Sequence, residues 1–296
     1  KLSKLIIQKQ YDAIITIDSP DFNYPLAKKI RKKGYKGKII HVVAPTVWAW
    51  REYRSKKFSE VFDKMLTLFP FENIYFQKYN LNTTCIGHPI YYIKNSSKLN
   101  NQNKYIAFLP GSRLGEVKSL IKYFKLASEY LDNISSPLQI FIPTLPHLHD
   151  SIISLTKKWN KKPIIVIDQK ISDILFSQTS LALVCSGTAS LEISKRKIPQ
   201  LIIYKLNYLT EIIFSLFVKV KYANIINIMA NNMIIPEIVN SKLNPIKFLD
   251  NFKKLVHNYE NINDKQIVDS EKYLNKLEFN KSPGSIAANE IKNLFF

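Results

Sequence analysis

The sequence predicts an α/β protein made of two Rossmann-like, doubly wound parallel-sheet domains facing a cleft. Three observations predict it. Short apolar, β-rich runs alternate with helix-period segments along most of the 296 residues, and continuous apolar strands separated by helices belong to parallel sheets covered on both faces. A polar break rich in Asn and Ser, YYIKNSSKLNNQNKY from Tyr91 to Tyr105, separates two such series, as an interdomain linker does. The length suits two ordinary domains, and 46% apolar against 22% charged residues gives a globular composition with ample core material.

The elements follow in order. DAIITI (Asp12–Ile17), KIIHVV (Lys38–Val43), KMLTLF (Lys64–Phe69) and TTCIG (Thr83–Gly87) read as buried strands of the first domain. After the break, YIAFLP, LQIFIP, PIIVID, LALVC and PQLIIY continue the alternation. The tail from about Asn244 reads as helical, with no further strand, and no short repeat occurs. The expected domains are residues 1–95 and 96–275, with residues 276–296 a C-terminal helix packing back on the first domain. A ligand of such sheets binds at the carboxyl ends of the strands.

The formal net charge of +20 points to an anionic partner, or to the Lys- and Asn-rich usage of an AT-rich genome. KKIRKKGYKGK (Lys28–Lys38) is expected to be a solvated helix end and exit turn. Cys85 and Cys185 lie in apolar runs and form no CxxC, which suits buried free thiols in a reducing compartment. No apolar stretch reaches the roughly 18 residues of a spanning helix. The opening KLSKLIIQKQYDAII has no initiator Met and no signal-peptide order, so a cytoplasmic chain that begins inside a helix and is truncated at its start is expected. YLTEIIFSLFVKVKY (Tyr208–Tyr222) reads as a helix that is apolar nearly all round, either a core helix or a surface resting on a membrane.

Only seven glycines occur, and two fall within AFLPGSRLGEV. A strand ending at Leu109, a turn at Pro110-Gly111-Ser112 and a helix from about Leu114 would offer bare amides and a helix N-terminus to an anion. Arg113 adds a planar cation suited to phosphate oxygens. In LVCSGTASLEI a second strand ends near Val184. Ser186 and Thr188 offer N-cap hydroxyls, Gly187 opens the backbone, and Glu192 shares a helix face with Thr188. Two such turns in one sheet suggest a nucleotide diphosphate, with Glu192 accepting from a ribose diol. In TIDSPDFNYPL, Asp18 at a strand end is the general-base candidate, while Asp21 is explained as the cap of a helix beginning at Phe22. Trp48 and Trp50 in APTVWAWREYRSKK either stack on a sugar or acyl chain or pack an interface. No DxD pair occurs and no histidines have ligand spacing, so neither a metal nor another cofactor is expected.

TIDSPDFN, APTVWAWR, FPFE, IGHP, LPGSR, SGTASLE and VKVKY occur in the order and spacing of the lipid-A-disaccharide synthases, which the chain resembles over essentially its whole length. The resemblance implies a GT-B glycosyltransferase that moves 2,3-diacylglucosamine from UDP-2,3-diacylglucosamine to 2,3-diacylglucosamine 1-phosphate. The products it implies are the β-1,6-linked lipid A disaccharide and UDP. It implies Asp18 as base and Arg113 as an essential cation, with Gly111, Ser112, Ser186, Gly187, Thr188 and Glu192 on the UDP moiety. A further family pattern falls on Ile226–Glu237 and keeps Asn227, Pro236 and Glu237, so Asn227 and Glu237, with Trp48, complete the substrate-binding candidates. The family's Gly-Arg there is Asn231-Asn232, and its N-terminal GE-SGD motif is absent. The expected partners are the two lipid substrates and the anionic inner face of the cytoplasmic membrane, where the chain would sit peripherally. No nucleic acid is expected, and a homodimer is left open. Competing readings are another GT-B enzyme acting on a UDP-GlcNAc substrate, a non-catalytic lipid- or UDP-sugar-binding relative, and a nucleic-acid-binding protein, for which no RRM, KH or helix-turn-helix signature speaks.

Overall fold

The computed structural model describes residues 1–92, 104–185, 187–205, 221–258 and 261–295. The chain divides into two compact units, the first containing residues 1–92 and 276–296, the second residues 93–213 and 221–275.

In the first unit α1 (Leu2–Lys9), β1 (Ala13–Ile17), α2 (Pro20–Lys32), β2 (Lys38–Val42), α3 (Arg54–Ser59), β3 (Lys64–Thr67), α4 (Asn73–Gln77) and β4 (Asn82–Cys85) alternate. The four strands lie side by side in chain order, all parallel, with Ile40 opposite Lys64 and Leu66 opposite Thr84. Side chains alternate across a strand, and the two faces bury different sets. Ile39 and Met65 join Ala27, Ile30, Phe58 and Phe76 of the neighbouring helices. Ile40 and Leu66 face Ile286, Ala287 and Ile291. The last three belong to a C-terminal helix (Pro283–Lys292), pinned by Glu290, which pairs with Lys64 at 2.5 Å and accepts from Thr84 Oγ1 at 2.9 Å. The basic cluster at the end of α2 is exposed except for Arg31. That guanidinium donates to Val61, Tyr35 and Gly37 carbonyls and pairs with Asp63 at 2.5 Å, so one of the expected solvated cations staples the exit turn.

The second unit runs β5 (Tyr105–Leu109), α5 (Leu114–Asn133), β6 (Gln139–Pro143), α6 (His149–Thr156), β7 (Ile164–Val166), α7 (Gln169–Phe176), β8 (Thr179–Cys185), α8 (Thr188–Lys195), β9 (Gln200–Tyr204), α9 (Ile225–Ala230), β10 (Glu237–Val239), α10 (Pro245–His257) and α11 (Ile262–Leu274). Its six parallel strands are ordered β10-β9-β8-β5-β6-β7. The chain therefore steps outward from β5 to β7, returns to the middle, and steps outward again from β8. β5 and β8 are neighbours, with Leu109 opposite Val184, and the strand order reverses between them. That switch point is where α/β sheets of this kind bind ligands. β10 is a strand the sequence reading lacked: Glu237–Val239 opens on a carboxylate and offers only two apolar residues, whereas the equally short edge strand β7 lies inside the apolar run PIIVID. Among the described residues, no helix is long and apolar enough to cross a membrane. The expected helix at Tyr208–Tyr222 lies outside the described residues except for Lys221 and Tyr222, as does most of the Tyr91–Tyr105 linker.

Candidate functional site

The two glycine turns follow the two central strands of the second unit, so the topology sets them side by side. They line one pocket of about 470 Å³ together with Ser112, Arg113, Thr188 and Glu192. Ser186 lies outside the described residues. Gly111 has φ 118° and Gly187 φ 136°, backbone that L side chains adopt only with strain. At Gly111 the room is also taken: an added Cβ would lie 2.8 Å from Glu116 Oε2 and 3.6 Å from Cys185 Sγ. At Gly187 it would meet nothing within 4 Å, so that backbone is bare toward the pocket.

Arg113 is the N-cap of α5. Its side chain is 80% exposed and holds Glu116 Oε1 at 2.8 Å, a surface pair of little net worth that can be redirected to a phosphate. Glu116 Oε2 accepts from the Ser112 amide at 3.3 Å. Thus a carboxylate of the chain already uses an amide and a cation of the kind an anionic ligand would use. Beneath the turn, burial pushes the Cys185 thiol up to about 12, with the nearby Glu116 carboxylate adding to the shift; both described cysteines are free, Cys185 buried and Cys85 half-buried.

The caps differ from expectation. Gly187, not a hydroxyl residue, is the N-cap of α8, and no side chain caps it. Thr188 is the first helical residue and exposed. Glu192 reaches the pocket wall and is fixed from behind by Arg196, which donates to its Oε1 from Nε at 3.1 Å and from Nη2 at 2.8 Å. Arg196 also pairs with Asp173 at 2.5 Å, its own side chain only 5% exposed. The i,i+4 spacing of Glu192 and Arg196 in LEISKR is a local signal for this pair, whereas Asp173 comes from another helix and no local pattern announces it.

Asn227 and Glu237 do not line this pocket. Asn227 is fully buried, and all its capacity is used. Its amide nitrogen donates to Ile235 O and Glu237 Oε2, and its oxygen accepts from the Ile234 and Ile235 amides. Glu237 accepts from the Ala223 and Asn224 amides and, chiefly through burial, has its carboxyl pushed above the usual range. These two residues fold the 223–237 segment rather than present free polar groups. Asn231 takes φ 49° at the end of α9, a left-handed position that asparagine tolerates and glycine favours.

In the first unit Asp18 follows β1 with φ 52°. Its amide donates to Val42 O at 2.9 Å and its carbonyl accepts from Asn23 Nδ2 at 2.7 Å, which clamps the backbone while the residue stays exposed. Asp21 is not a cap: α2 begins at Pro20 behind Ser19, and Asp21 pairs with Arg54 at 2.9 Å. His41, on the neighbouring strand, was not singled out by its sequence context. Burial lowers its pKa to about 4, against the opposing effect of Asp18. Thr16 donates its hydroxyl to Ile40 O, so the neutral ring donates from Nδ1 to Thr16 Oγ1 at 2.7 Å, leaving buried Nε2 without a partner. Trp48 is 9% exposed, donates from Nε1 to Glu72 Oε1 at 3.1 Å and meets Phe71 edge-on. Of its two expected roles, this geometry serves packing. It also ties APTVWAWR to FPFE through a carboxylate whose pKa burial raises to about 7, against hydrogen bonds from Phe69, Trp48 and Leu68 that lower it. Among the described residues no group of three His, Cys, Asp or Glu is placed to hold a metal ion.

A Rossmann-ordered sheet with two glycine turns at its switch point, accompanied by a second parallel-sheet unit, is the arrangement of the GT-B fold. Comparison with solved structures agrees at the level of fold: a UDP co-structure of S. aureus MnaA matches with TM-score 0.62 over 99% of this chain and 77% of that one, at 14% identity. The family model described as lipid-A-disaccharide synthetase matches residues 1–291, and the chain belongs to that family. Lipid-A-disaccharide synthase of Rickettsia typhi is 33% identical over 98% of this chain and 79% of its own length. That of Rhodospirillum centenum is 29% identical over 82% of this chain and 63% of its own length.

Proposed function

We propose that the chain transfers 2,3-diacylglucosamine from UDP-2,3-diacylglucosamine to O6 of 2,3-diacylglucosamine 1-phosphate with inversion, releasing UDP. The observation that carries the reading is the opening of Gly111 and Gly187 onto one pocket beside Arg113 and Glu192. Cleavage of the glycosyl bond builds oxocarbenium character at the anomeric carbon and pushes negative charge onto the departing diphosphate. The bare backbone at Gly187, the Ser112 amide and Arg113 once Glu116 releases them, and the α5 and α8 N-termini stabilise that charge where it develops. The anchored oxygen of Glu192 leaves its other oxygen to accept from the ribose diol.

Asp18 takes the proton from the acceptor 6-hydroxyl as that oxygen attacks from the face opposite UDP. Its clamped backbone supports this role, since a base must be held in place before it can act. Neutral His41 beside it adds no charge that would compete for the carboxylate. Both lipid substrates reside in a membrane, and the net charge of +20 supports peripheral attachment to an anionic inner leaflet. The test is a transfer assay with radiolabelled acceptor and both lipid substrates. Labelled disaccharide in stoichiometric balance with UDP is the expected product. A folded protein that binds UDP and forms no disaccharide overturns the reaction.

A further inference from the structure

We propose that a small cationic pocket of the first unit, adjoining the turn that carries Asp18, binds a phosphomonoester dianion, and that this dianion is the phosphate of the acceptor. The second clause rests on the proposed reaction; the first does not.

The pocket has a volume of about 180 Å³, and its walls include Asp21, Arg51, Tyr53, Arg54 and Lys57. That is below the roughly 300 Å³ at which pockets take whole drug-sized ligands, and suits a phosphate group better than a sugar nucleotide. Three cations face one carboxylate, so the pocket carries a net charge opposite to that of a phosphomonoester. The carboxylate belongs to the wall, because Asp21 pairs with Arg54, whose side chain is only 13% exposed. The other two cations are oriented by rings instead of by acids. The Arg51 guanidinium lies 3.9 Å from the Trp50 ring centroid, and Lys57 Nζ lies 4.9 Å from that of Tyr53. Stacking on a ring fixes the direction of a cation and leaves its charge and donors available. Neither Arg51 nor Lys57 makes an ion pair among the described residues.

The backbone at this edge of the sheet is also unusual. Asp18, Ser19, Val43 and Arg51 all have φ between 42° and 72° without being glycine. Each such residue stores backbone strain, and strain of this kind gathers at ligand clamps. The valine is the rarest case, because a β-branched side chain is least suited to that region. Pro20 and Asp21 of the pocket wall follow Asp18 in the chain with only Ser19 between. A phosphate held there would therefore tether the acceptor within reach of the candidate base.

The test uses the full chain, with Arg51→Ala and Lys57→Ala chosen over Arg54 because both side chains lie at the surface. Titration calorimetry with glucosamine 1-phosphate should show binding that weakens about tenfold in each variant and is partly restored in Arg51→Lys, while UDP binding and Tm stay at wild-type values. Glucosamine 1-phosphate binding that is absent in the wild type, or equal in the variants, overturns the site. In transfer assays the wild type should prefer the phosphorylated acceptor over its dephosphorylated form, and each variant should narrow that preference through acceptor KM with donor KM unchanged. If glucosamine 1-phosphate binds as expected but no transfer occurs, the reaction fails and the phosphate site stands. Sedimentation with phosphatidylglycerol vesicles separates the other source of phosphate: variants that lose vesicle binding while keeping glucosamine 1-phosphate binding would assign the pocket to lipid headgroups and overturn the proposal.

Discussion

Gly187→Ala isolates the backbone conformation on which the phosphate reading depends. Gly187 sits at φ 136°, ψ −159°, a region occupied essentially by glycine alone. A methyl group there would meet nothing within 4 Å, so crowding adds nothing and the cost is conformational, about 1–3 kcal/mol. In a unit of this size that corresponds to a fall in Tm of roughly 3–9 °C. Gly111→Ala should cost more, because its Cβ would also lie 3.0 Å from Glu116 Cβ and the helix start would have to shift. Gly115→Ala is the control: it lies in the first turn of α5 without positive φ and with nothing within 4 Å. Lower entropy of the unfolded chain and better helix propensity should raise stability by about 0.4–1 kcal/mol there.

Thermal unfolding is read alongside UDP binding by calorimetry. Relief of the strain swings the amides at the start of α8 away from the pocket, and loss of one hydrogen bond to a charged group, about 1.5–3 kcal/mol, weakens UDP at least tenfold. The order of melting temperatures should be Gly115→Ala, wild type, Gly187→Ala, Gly111→Ala. A Gly187→Ala protein that melts within about 1 °C of wild type refutes the conformational argument. One that melts lower but binds UDP as well as wild type refutes the phosphate assignment.

Arg113→Ala should fold as wild type, since the side chain is 80% exposed and its one pair is a surface pair, yet lose about 100-fold or more in turnover; near-wild-type initial rates would remove Arg113 from the mechanism. Arg196→Ala should raise donor KM more than it lowers kcat by releasing Glu192, with Arg196→Lys recovering only part because a lysine cannot reproduce the fork; equal acceptor and donor effects would mark a merely structural role. Glu72→Gln tests the buried carboxylate: a folded pKa raised from 4.5 to about 7 means that the folded state holds the proton more tightly, so this group's stability contribution is full below 4.5 and is lost as pH rises through 7. The whole span is about 3 kcal/mol. His41, with its pKa lowered to about 4, contributes stability that is present above 6.5 and lost as pH falls toward 4, an opposite slope that partly masks the effect, so the informative quantity is the difference between wild type and Glu72→Gln in urea unfolding at pH 5 and pH 8. A difference that does not change between the two pH values would place the Glu72 carboxyl at an ordinary pKa.

Strands such as β2 and β8 are legible because a strand buried on both faces needs an unbroken apolar run; in β2, Ile39 and Ile40 serve opposite cores. β10 escaped because Glu237–Val239 has only two apolar residues between Pro236 and Asn240, while the equally short β7 sits in a longer apolar run. The glycine turns were legible for a different reason: in a chain with seven glycines, one placed after a strand is informative by scarcity. What failed was the assignment of individual polar side chains near helix starts. Asp21 and Thr188 belong to residue types that favour caps, yet neither makes a side-chain cap bond at its helix. Asp21 meets Arg54 from 33 positions away in the chain, and Gly187 stands at the cap because the backbone there has a shape that a serine or threonine could adopt only with strain. Local preference was outweighed in both cases by a tertiary partner or a required φ.

The same reasoning explains how Asn227 and Glu237 bear on the site without lining it. Glu237 Oε2 accepts from the Asn224 amide at 2.8 Å, and Asn224 Nδ2 donates to Ser190 Oγ at 2.8 Å. Ser190 in turn donates that hydroxyl to Gly187 O at 2.8 Å. Gln200 Nε2 holds the carbonyl of Ser190 from the neighbouring strand. This chain of bonds is buried at Asn224, Ser190 and Gln200, where an unpaired polar group would cost about 1–3 kcal/mol. Each link is therefore kept at a definite length, and the last one fixes the peptide that opens α8 toward the pocket. Residues forty or fifty positions beyond the glycine turn thus hold its geometry through hydrogen bonds, and no inspection of LVCSGTASLEI by itself reveals them, because the partners are set by which strands end up adjacent in the sheet.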